Sequence, residues 1–332
     1  MLYPIVALLV GLVILVLGAD RFVGGAAAVA RHFGLPPLLI GIVVIGFGTS
    51  MPEMLVSATA AFRGTSGIAL GNAYGSNITN ILLILGLCSI ISPIKVTAGS
   101  IHREIPLLLA ATALCIALLW DGVVSRVDAI VMLAAFAACL GFSIYKSMRP
   151  ATSGETTEEK AALPADAADE PPSKPAPIRR SVLWVLVGLG MMMASSEMLV
   201  WGAVSIATHF GVSDLVIGLT IVAVGTSLPE LASSVMAARK GEDEMALGNI
   251  IGSNTFNALM VVGVAALIHP LTADADLLRR DLPVMAATTV LLYAFCWGAG
   301  GKGVINRIEG AVLLSGYAAY TVYLLATSGS AA

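Results

Sequence analysis

The sequence predicts an all-α integral membrane protein of ten transmembrane helices, folded as two inverted five-helix repeats with a broken helix at the centre of each. Composition, the spacing of apolar runs and an internal repeat at a fixed offset carry that prediction. Of 332 residues, 58% are hydrophobic and 12% charged, whereas a soluble domain carries about 25% charged residues. Mean hydropathy is +0.92, so most of the folded surface is expected to meet lipid. The net charge of −3 favours no particular partner. Basic residues form no stripe interleaved with aromatics, so nucleic-acid binding is not expected.

A membrane-crossing helix needs about 20 predominantly apolar residues. Such runs lie near residues 3–30, 36–62, 66–92, 101–120, 125–147, 180–207, 213–238, 243–268, 281–299 and 304–327. The first has no basic leader and no small-residue cleavage site, so it reads as a span rather than a removed signal. Residues 150–177 are rich in Ala, Pro, Glu, Asp, Ser and Thr, a composition that cannot bury a core. The chain thus divides into a first five-helix repeat at 1–148, a disordered linker at 149–178 and a second repeat at 179–332. Cys88, Cys115, Cys139 and Cys296 all lie in apolar runs without metal-type spacing and read as buried free thiols.

Lys and Arg set the orientation. With the N-terminus outside, the inward loops hold Arg31, Lys95, Arg103, Lys146, Arg149, Lys160, Lys174, Arg179, Arg180, Arg239, Lys240, Lys302 and Arg307. The outward loops hold Arg63, Arg126, Arg279 and Arg280. The bias survives removal of Lys160, Lys174, Arg179 and Arg180, which the linker supplies. It puts both termini outside and the linker in the cytoplasm of a bacterial-type inner membrane.

The repeat appears at an offset of 177 residues, the separation of His32 from His209, and runs without a gap for more than 100 positions. Gly48-Thr49-Ser50-Met51-Pro52-Glu53 falls on Gly225-Thr226-Ser227-Leu228-Pro229-Glu230. Ala69-Leu70-Gly71-Asn72 falls on Ala246-Leu247-Gly248-Asn249, Gly75-Ser76-Asn77 on Gly252-Ser253-Asn254, and Asn80 on Asn257. Arg103, Pro106 and Trp120 match Arg280, Pro283 and Trp297; after a four-residue insertion, Ser125–Asp128 matches Asn306–Glu309. Five spans per copy is an odd number, so the second copy enters from the opposite side, an arrangement typical of secondary transporters.

Within the second span of each copy, glycine weakens the helix and proline removes a backbone donor. Thr49 or Ser50, and likewise their counterparts, are placed to cap a new half-helix with proline in its first turn. Backbone freed at such a break is tolerated only where protein buries it or it lines a wet cavity. Glu53 and Glu230 then project from the first turn, where the positive helix end favours a carboxylate. An ionisable residue at this depth costs roughly 2.5–3.5 kcal/mol on insertion scales and marks function by default. No basic residue lies at comparable depth, so two carboxylates call for a cation. Ser76 with Asn80, and Ser253 with Asn257, are four apart and share a helix face. Such residues also serve as interhelical glue, but here they recur in register beside the two Glu motifs. The donor set is all hard oxygen, without His or Cys, which disfavours zinc, copper and iron. Calcium takes 6–8 oxygens in flexible geometry, which this set can supply, and one carboxylate pair makes binding of Ca²⁺ and of Na⁺ mutually exclusive.

GTSMPE with GNAYGSNITN, and GTSLPE with GNIIGSNTFN, closely resemble the alpha repeats of the sodium/calcium exchangers in the calcium/cation antiporter superfamily. The resemblance covers nearly the whole chain. It implies exchange of Ca²⁺ for Na⁺ by alternating access, with no permanently bound cofactor, no catalytic residue and no obligatory protein partner. It makes Glu53 and Glu230 the central Ca²⁺ ligands, with oxygens from Thr49 and Thr226. Ser50, Ser76, Asn80, Ser227, Ser253 and Asn257 would line Na⁺ sites, and the carbonyls of Gly46 and Ala223 would complete the outer ones. Some relatives carry Asp where Asn257 stands, so this chain has two acidic ligands rather than three. Proton-coupled relatives place an acid in a GNAxE pattern, whereas GTSxPE favours sodium.

A Ca²⁺/H⁺ antiporter on the same fold is the alternative, since both glutamates could carry protons. An intramembrane protease would need a catalytic dyad or a Ser–His pair at depth, and no His lies in a core motif. A channel fits inverted, broken helices less well than alternating access does. Asp20 and Glu197 also match across the offset and carry no assigned role beyond capping or ion entry. His102 and His209 read as loop or interface residues.

Overall fold

The computed structural model describes residues 2–97, 100–148, 177–210, 223–297 and 303–328. The linker expected at 149–178 falls outside these except for its last two residues, and so do residues 213–222 of the seventh expected span. The elements run in the order α1 Leu2–Phe33, α2 Pro37–Thr49, α3 Met51–Phe62, α4 Ser66–Ile91, α5 Ser100–Leu118, α6 Arg126–Met148 and α7 Ile178–His209. They continue with α8 Ala223–Thr226, α9 Leu228–Arg239, α10 Asp243–Ile268, α11 Leu282–Trp297 and α12 Arg307–Ser328. Four two-residue strands interrupt them: β1 Ile94–Lys95, β2 Val123–Val124, β3 Leu271–Thr272 and β4 Val304–Ile305.

Among the described residues, seven helices are long and apolar enough to cross a membrane, and α2 with α3, bent by 45° at Ser50, makes an eighth crossing if taken as one span. Two of the ten expected spans fall outside this group. The seventh overlaps residues 211–222. The ninth, α11, is a 16-residue helix preceded by the π turn Leu277–Asp281. Burial separates the helices into a core and a periphery. Over their apolar windows α4 and α10 are 72% and 78% buried, whereas α1, α6, α7 and α12 range from 11% to 22%. The two central helices carry Ser76, Asn80, Ser253 and Asn257.

Contacts in one half recur in the other. The strand β1 pairs antiparallel with β4, and β2 with β3, so each ribbon joins one strand from each half. Helices α1 and α7 lie antiparallel, in backbone contact through glycines. A Cβ on Gly25 would stand 2.8 Å from the Ser181 carbonyl, and one on Gly202 would stand 2.8 Å from the Pro4 carbonyl; these are the same contact displaced by the repeat offset. Small residues let membrane helices approach this closely. Gly64 and Gly241, another matched pair, end α3 and α9 with φ of +71° and +72°, a left-handed conformation that closes a helix at little cost only for glycine.

Gly188 tests this packing. Its Cβ would meet the Phe22 nitrogen at 2.6 Å and the Gly18 oxygen at 2.7 Å, both backbone atoms that cannot swing aside. Gly188→Ala should destabilise the protein by about 1–3 kcal/mol through overpacking. Gly190→Ala, with open space beside it, should be neutral or slightly stabilising. The check is thermal unfolding of the purified protein in detergent.

Candidate cation site

The bend at Ser50 begins with Pro52, which lacks the N–H that would have reached the Gly48 carbonyl. The break is a bend rather than a gap, because Ser50 N–H still donates to Gly46 O at 3.2 Å and Met54 N–H to Ser50 O at 3.1 Å. Ser227 stands at the same point before α9, with Pro229 in that helix's first turn. The expectation that a hydroxyl at each break caps the new half-helix is corrected. Ser50 and Ser227 occupy the cap positions, yet neither side chain bonds its own helix. Each turns across to the other half: Ser50 Oγ donates to Glu230 Oε1 at 3.1 Å, and Ser227 Oγ to Glu53 Oε1 at 3.3 Å. A local capping bond worth about 1 kcal/mol is exchanged for a hydrogen bond to a charged group, worth about 1.5–3 kcal/mol.

Glu53 and Glu230 are fully buried. The crossed serine bonds bring each carboxylate to the break that carries the other. The ion pairs among the described residues involve Asp20, Glu104, Glu242, Asp276 and Asp281; neither Glu53 nor Glu230 has a basic partner. Their second oxygens, Oε2 in each, accept no hydrogen bond. Around them are Ser76, whose Oγ lies 3.4 Å from Ser227 Oγ, Ser253, whose Oγ donates to Gly46 O at 3.3 Å, and Thr226, whose hydroxyl reaches Glu53. Thr49 Oγ1 donates to Ile45 O at 3.0 Å and approaches Asn249 Oδ1 at 3.1 Å. Asn80 and Asn257 are buried in π turns, Asn80–Leu85 and Phe256–Val261, a form that often marks functional sites. Both present an unpartnered Oδ1. Of the twelve residues expected to bind ions, nine are joined by these contacts around the two glutamates, while Asn80 bonds Asn254 and Asn257 is buried on the facing helix. Ala223 opens α8 at the edge of the described residues, and its side chain lies outside them.

The cluster is therefore rich in oxygen and short of donors. No three His, Cys, Asp or Glu side chains gather anywhere among the described residues, so the negative charge here comes from two carboxylates alone. Orphaned carboxylate and amide oxygens in a low-dielectric interior are costly unless a cation or protons satisfy them.

Two asparagines that the sequence analysis noticed only as repeat markers hold the site in shape. Asn72 Nδ2 donates to the Glu53 carbonyl at 3.0 Å and to Ser57 Oγ at 2.9 Å. Asn249 Nδ2 lies 3.3 Å from the Glu230 carbonyl and 2.7 Å from Ser234 Oγ. The Oδ1 of Asn249 meets hydroxyls of both halves, Thr49 and Ser253 at 3.4 Å. A second matched pair, Asn77 and Asn254, exchange bonds between side-chain amide and backbone carbonyl at 3.1 and 3.4 Å. The identical offset of both pairs was the available signal.

This geometry has counterparts in known proteins. The family model described as sodium/calcium exchanger protein matches residues 3–145 and 180–326. A protein of Alkalimonas amylolytica named as antiporter CaxA is 45% identical over 99% of this chain and all of its own length. The inner membrane protein YrbG of Escherichia coli is 38% identical, covering 95% of this chain and 96% of its own, and the sodium/calcium exchanger MaX1 of Methanosarcina acetivorans is 30% identical, covering 96% and 97%. The solved structure of the sodium-calcium exchanger NCX_Mj, soaked with Na⁺ and Sr²⁺, superposes with a TM-score of 0.81 at 33% identity over 98% of each chain. Those relatives move ions rather than catalyse reactions, and this chain, an antiporter and not an enzyme, belongs to the sodium/calcium exchanger family.

Proposed function

We propose that the protein exchanges Ca²⁺ for Na⁺ across a bacterial-type inner membrane by alternating access, using one buried site shared by two inverted halves. The observation that carries this reading is the pair of buried glutamates without a basic partner, each bonded by a serine of the opposite half and each keeping one free oxygen. Glu53 and Glu230 are assigned as the ligands that hold Ca²⁺, helped by Thr49 and Thr226. Ser50, Ser76, Asn80, Ser227, Ser253 and Asn257, with the carbonyls of Gly46 and Ala223, are assigned to Na⁺. Two negative charges balance one Ca²⁺ or a group of Na⁺, so the ions displace each other. Na⁺ is favoured over H⁺ as the coupling ion by the many neutral oxygen donors that surround the carboxylates, since protons need none of them.

The inverted arrangement of ten spans is supported by the cross-half ribbons. The orientation drawn from Lys and Arg puts the loops holding β1 and β4 on the cytoplasmic side and those holding β2 and β3 outside, and these are the loops that pair. Both termini are then outside and the linker cytoplasmic.

Glu53→Gln and Glu230→Gln keep the side-chain shape and remove one charge each. In reconstituted vesicles each variant should lose Ca²⁺ uptake by at least 100-fold while expression and thermal stability stay near wild type; normal uptake in either would contradict the assignment. Ca²⁺ uptake by the wild-type protein should be driven by an outward Na⁺ gradient with pH clamped equal on both sides. Uptake that follows a pH gradient and ignores Na⁺ would establish the proton-coupled alternative. Asn249→Ala, which removes the amide that donates to Ser233 and Ser234, should cost about 1–3 kcal/mol of stability and weaken binding of both ions, measured by unfolding and by flux.

A further inference from the structure

Asp20 and Glu197 stand at matched positions in α1 and α7, and so do Arg63 and Lys240, at the ends of α3 and α9. The repeat therefore contains the same acid–base pair twice, Asp20 with Lys240 and Glu197 with Arg63, always between the first helix of one half and the second span of the other. Only one is made. Lys240 Nζ lies 2.8 Å from Asp20 Oδ1 and 2.9 Å from the Asp20 carbonyl, and it fits beside Gly24. Arg31 on the same helix reaches Glu242, two residues beyond Lys240, at 3.6 Å. Among the described residues neither Glu197 nor Arg63 has a partner, and both are exposed. Trp201 stands where Gly24 makes room for Lys240 in the other half.

The same loss of symmetry appears at the buried site. Asn80 Nδ2 donates to Asn254 Oδ1 at 2.9 Å, whereas the matching bond, from Asn257 Nδ2 to Asn77 Oδ1, is absent and both of those atoms lack partners. A two-fold sequence has settled into a conformation that is two-fold in its backbone contacts and one-sided in these polar ones.

We propose that Asp20–Lys240 and Glu197–Arg63 are the two halves of one latch, made in alternation, and that this conformation has the Asp20–Lys240 half closed. The inference rests on the exchange reading above, whose orientation puts Lys240 and Glu242 on the cytoplasmic side and Arg63 outside. From Leu2 to Ala19, α1 carries no charge and spans about 27 Å at 1.5 Å per residue, close to the thickness of the hydrocarbon core. Asp20 thus lies near the membrane boundary, where the carboxylate can meet Lys240. Closing one pair ties α1 to α9 and leaves α7 free of α3; opening it and closing the other moves both helices relative to the two central ones, exposing the glutamates to the opposite side.

Two measurements test the latch. In vesicles of known orientation, the ratio of apparent Ca²⁺ affinity at the cytoplasmic face to that at the outer face reports the population of the two states. Asp20→Asn should raise that ratio about two- to fivefold, the range of a partly exposed ion pair, and Glu197→Gln should lower it by a similar factor. The charge swap Asp20→Lys/Lys240→Asp should return it to the wild-type value. Shifts in the same direction, or none, would overturn the proposal. Cross-linking does not need flux: Asp20→Cys/Lys240→Cys and Glu197→Cys/Arg63→Cys should each join with a short bifunctional thiol reagent, and each join should arrest exchange. Failure of the second pair to join at any ratio of Na⁺ to Ca²⁺ would overturn the latch, whereas absence of exchange in the wild-type protein would overturn the transport reading instead.

Discussion

Two buried carboxylates, with no lysine or arginine paired to them among the described residues, set the terms for the rest of this structure. Burying one unpaired ion costs several kcal/mol, and like charges at close range add to it. The fold does nothing to neutralise the pair permanently. Instead it spends a serine from each half on the opposite carboxylate and leaves one oxygen of each glutamate unsatisfied. A fold that kept such a site without a cation to fill it would be selected against on stability alone. The cost is consistent with a site whose occupant changes, because a permanent basic partner would compete with every ion.

The rest of the architecture serves that constraint. The bent helices deliver the glutamates at the first turn of α3 and α9, where the helix dipole favours negative charge. The central helices α4 and α10 are the most buried of the long spans and bring up the Ser–Asn faces. Asn72 and Asn249 tie the backbone of each glutamate to these helices, so the glutamates are anchored to the most buried of the long spans. The outer pair α1 and α7 touch each other through glycines and contribute no expected ligand. They pack on the breaks from outside, Ser196 of α7 donating to the Gly225 carbonyl, and the paired Asp20 and the Glu197 without a partner among the described residues fall on them.

Much of this could be read from the residues. Eight of the ten expected spans, counting the bent pair as one, followed from apolar runs of bilayer length. The site followed from proline and glycine inside those runs, and from a repeat that placed every polar residue twice. What escaped was non-local. The ribbons β1–β4 and β2–β3 are two residues per strand and pair across about 150 to 210 positions, so no local propensity announces them. The π turns Asn80–Leu85 and Phe256–Val261 lie in helices buried on nearly every side, where hydrophobic periodicity carries no signal for a change of pitch. Ser50 and Ser227 looked like caps because a hydroxyl before proline usually is one; a charged acceptor from the other half outcompeted the local bond. The hub role of Asn249 was hidden because asparagine in an apolar run looks like any interhelical glue until its partners are known. Asp20 with Glu197, and Arg63 with Lys240, share the repeat offset, and those two matches were the traces of the proposed latch in the sequence.

The central claim is that one site, built from both halves, binds either Ca²⁺ or Na⁺. Equilibrium Ca²⁺ binding to the purified protein in detergent, titrated at several Na⁺ concentrations and constant ionic strength, tests it most directly. The account predicts one high-affinity Ca²⁺ per chain, with an apparent Kd that rises steadily with Na⁺ and no change in the number bound. Ca²⁺ binding indifferent to Na⁺, or two independent equivalents per chain, would contradict it.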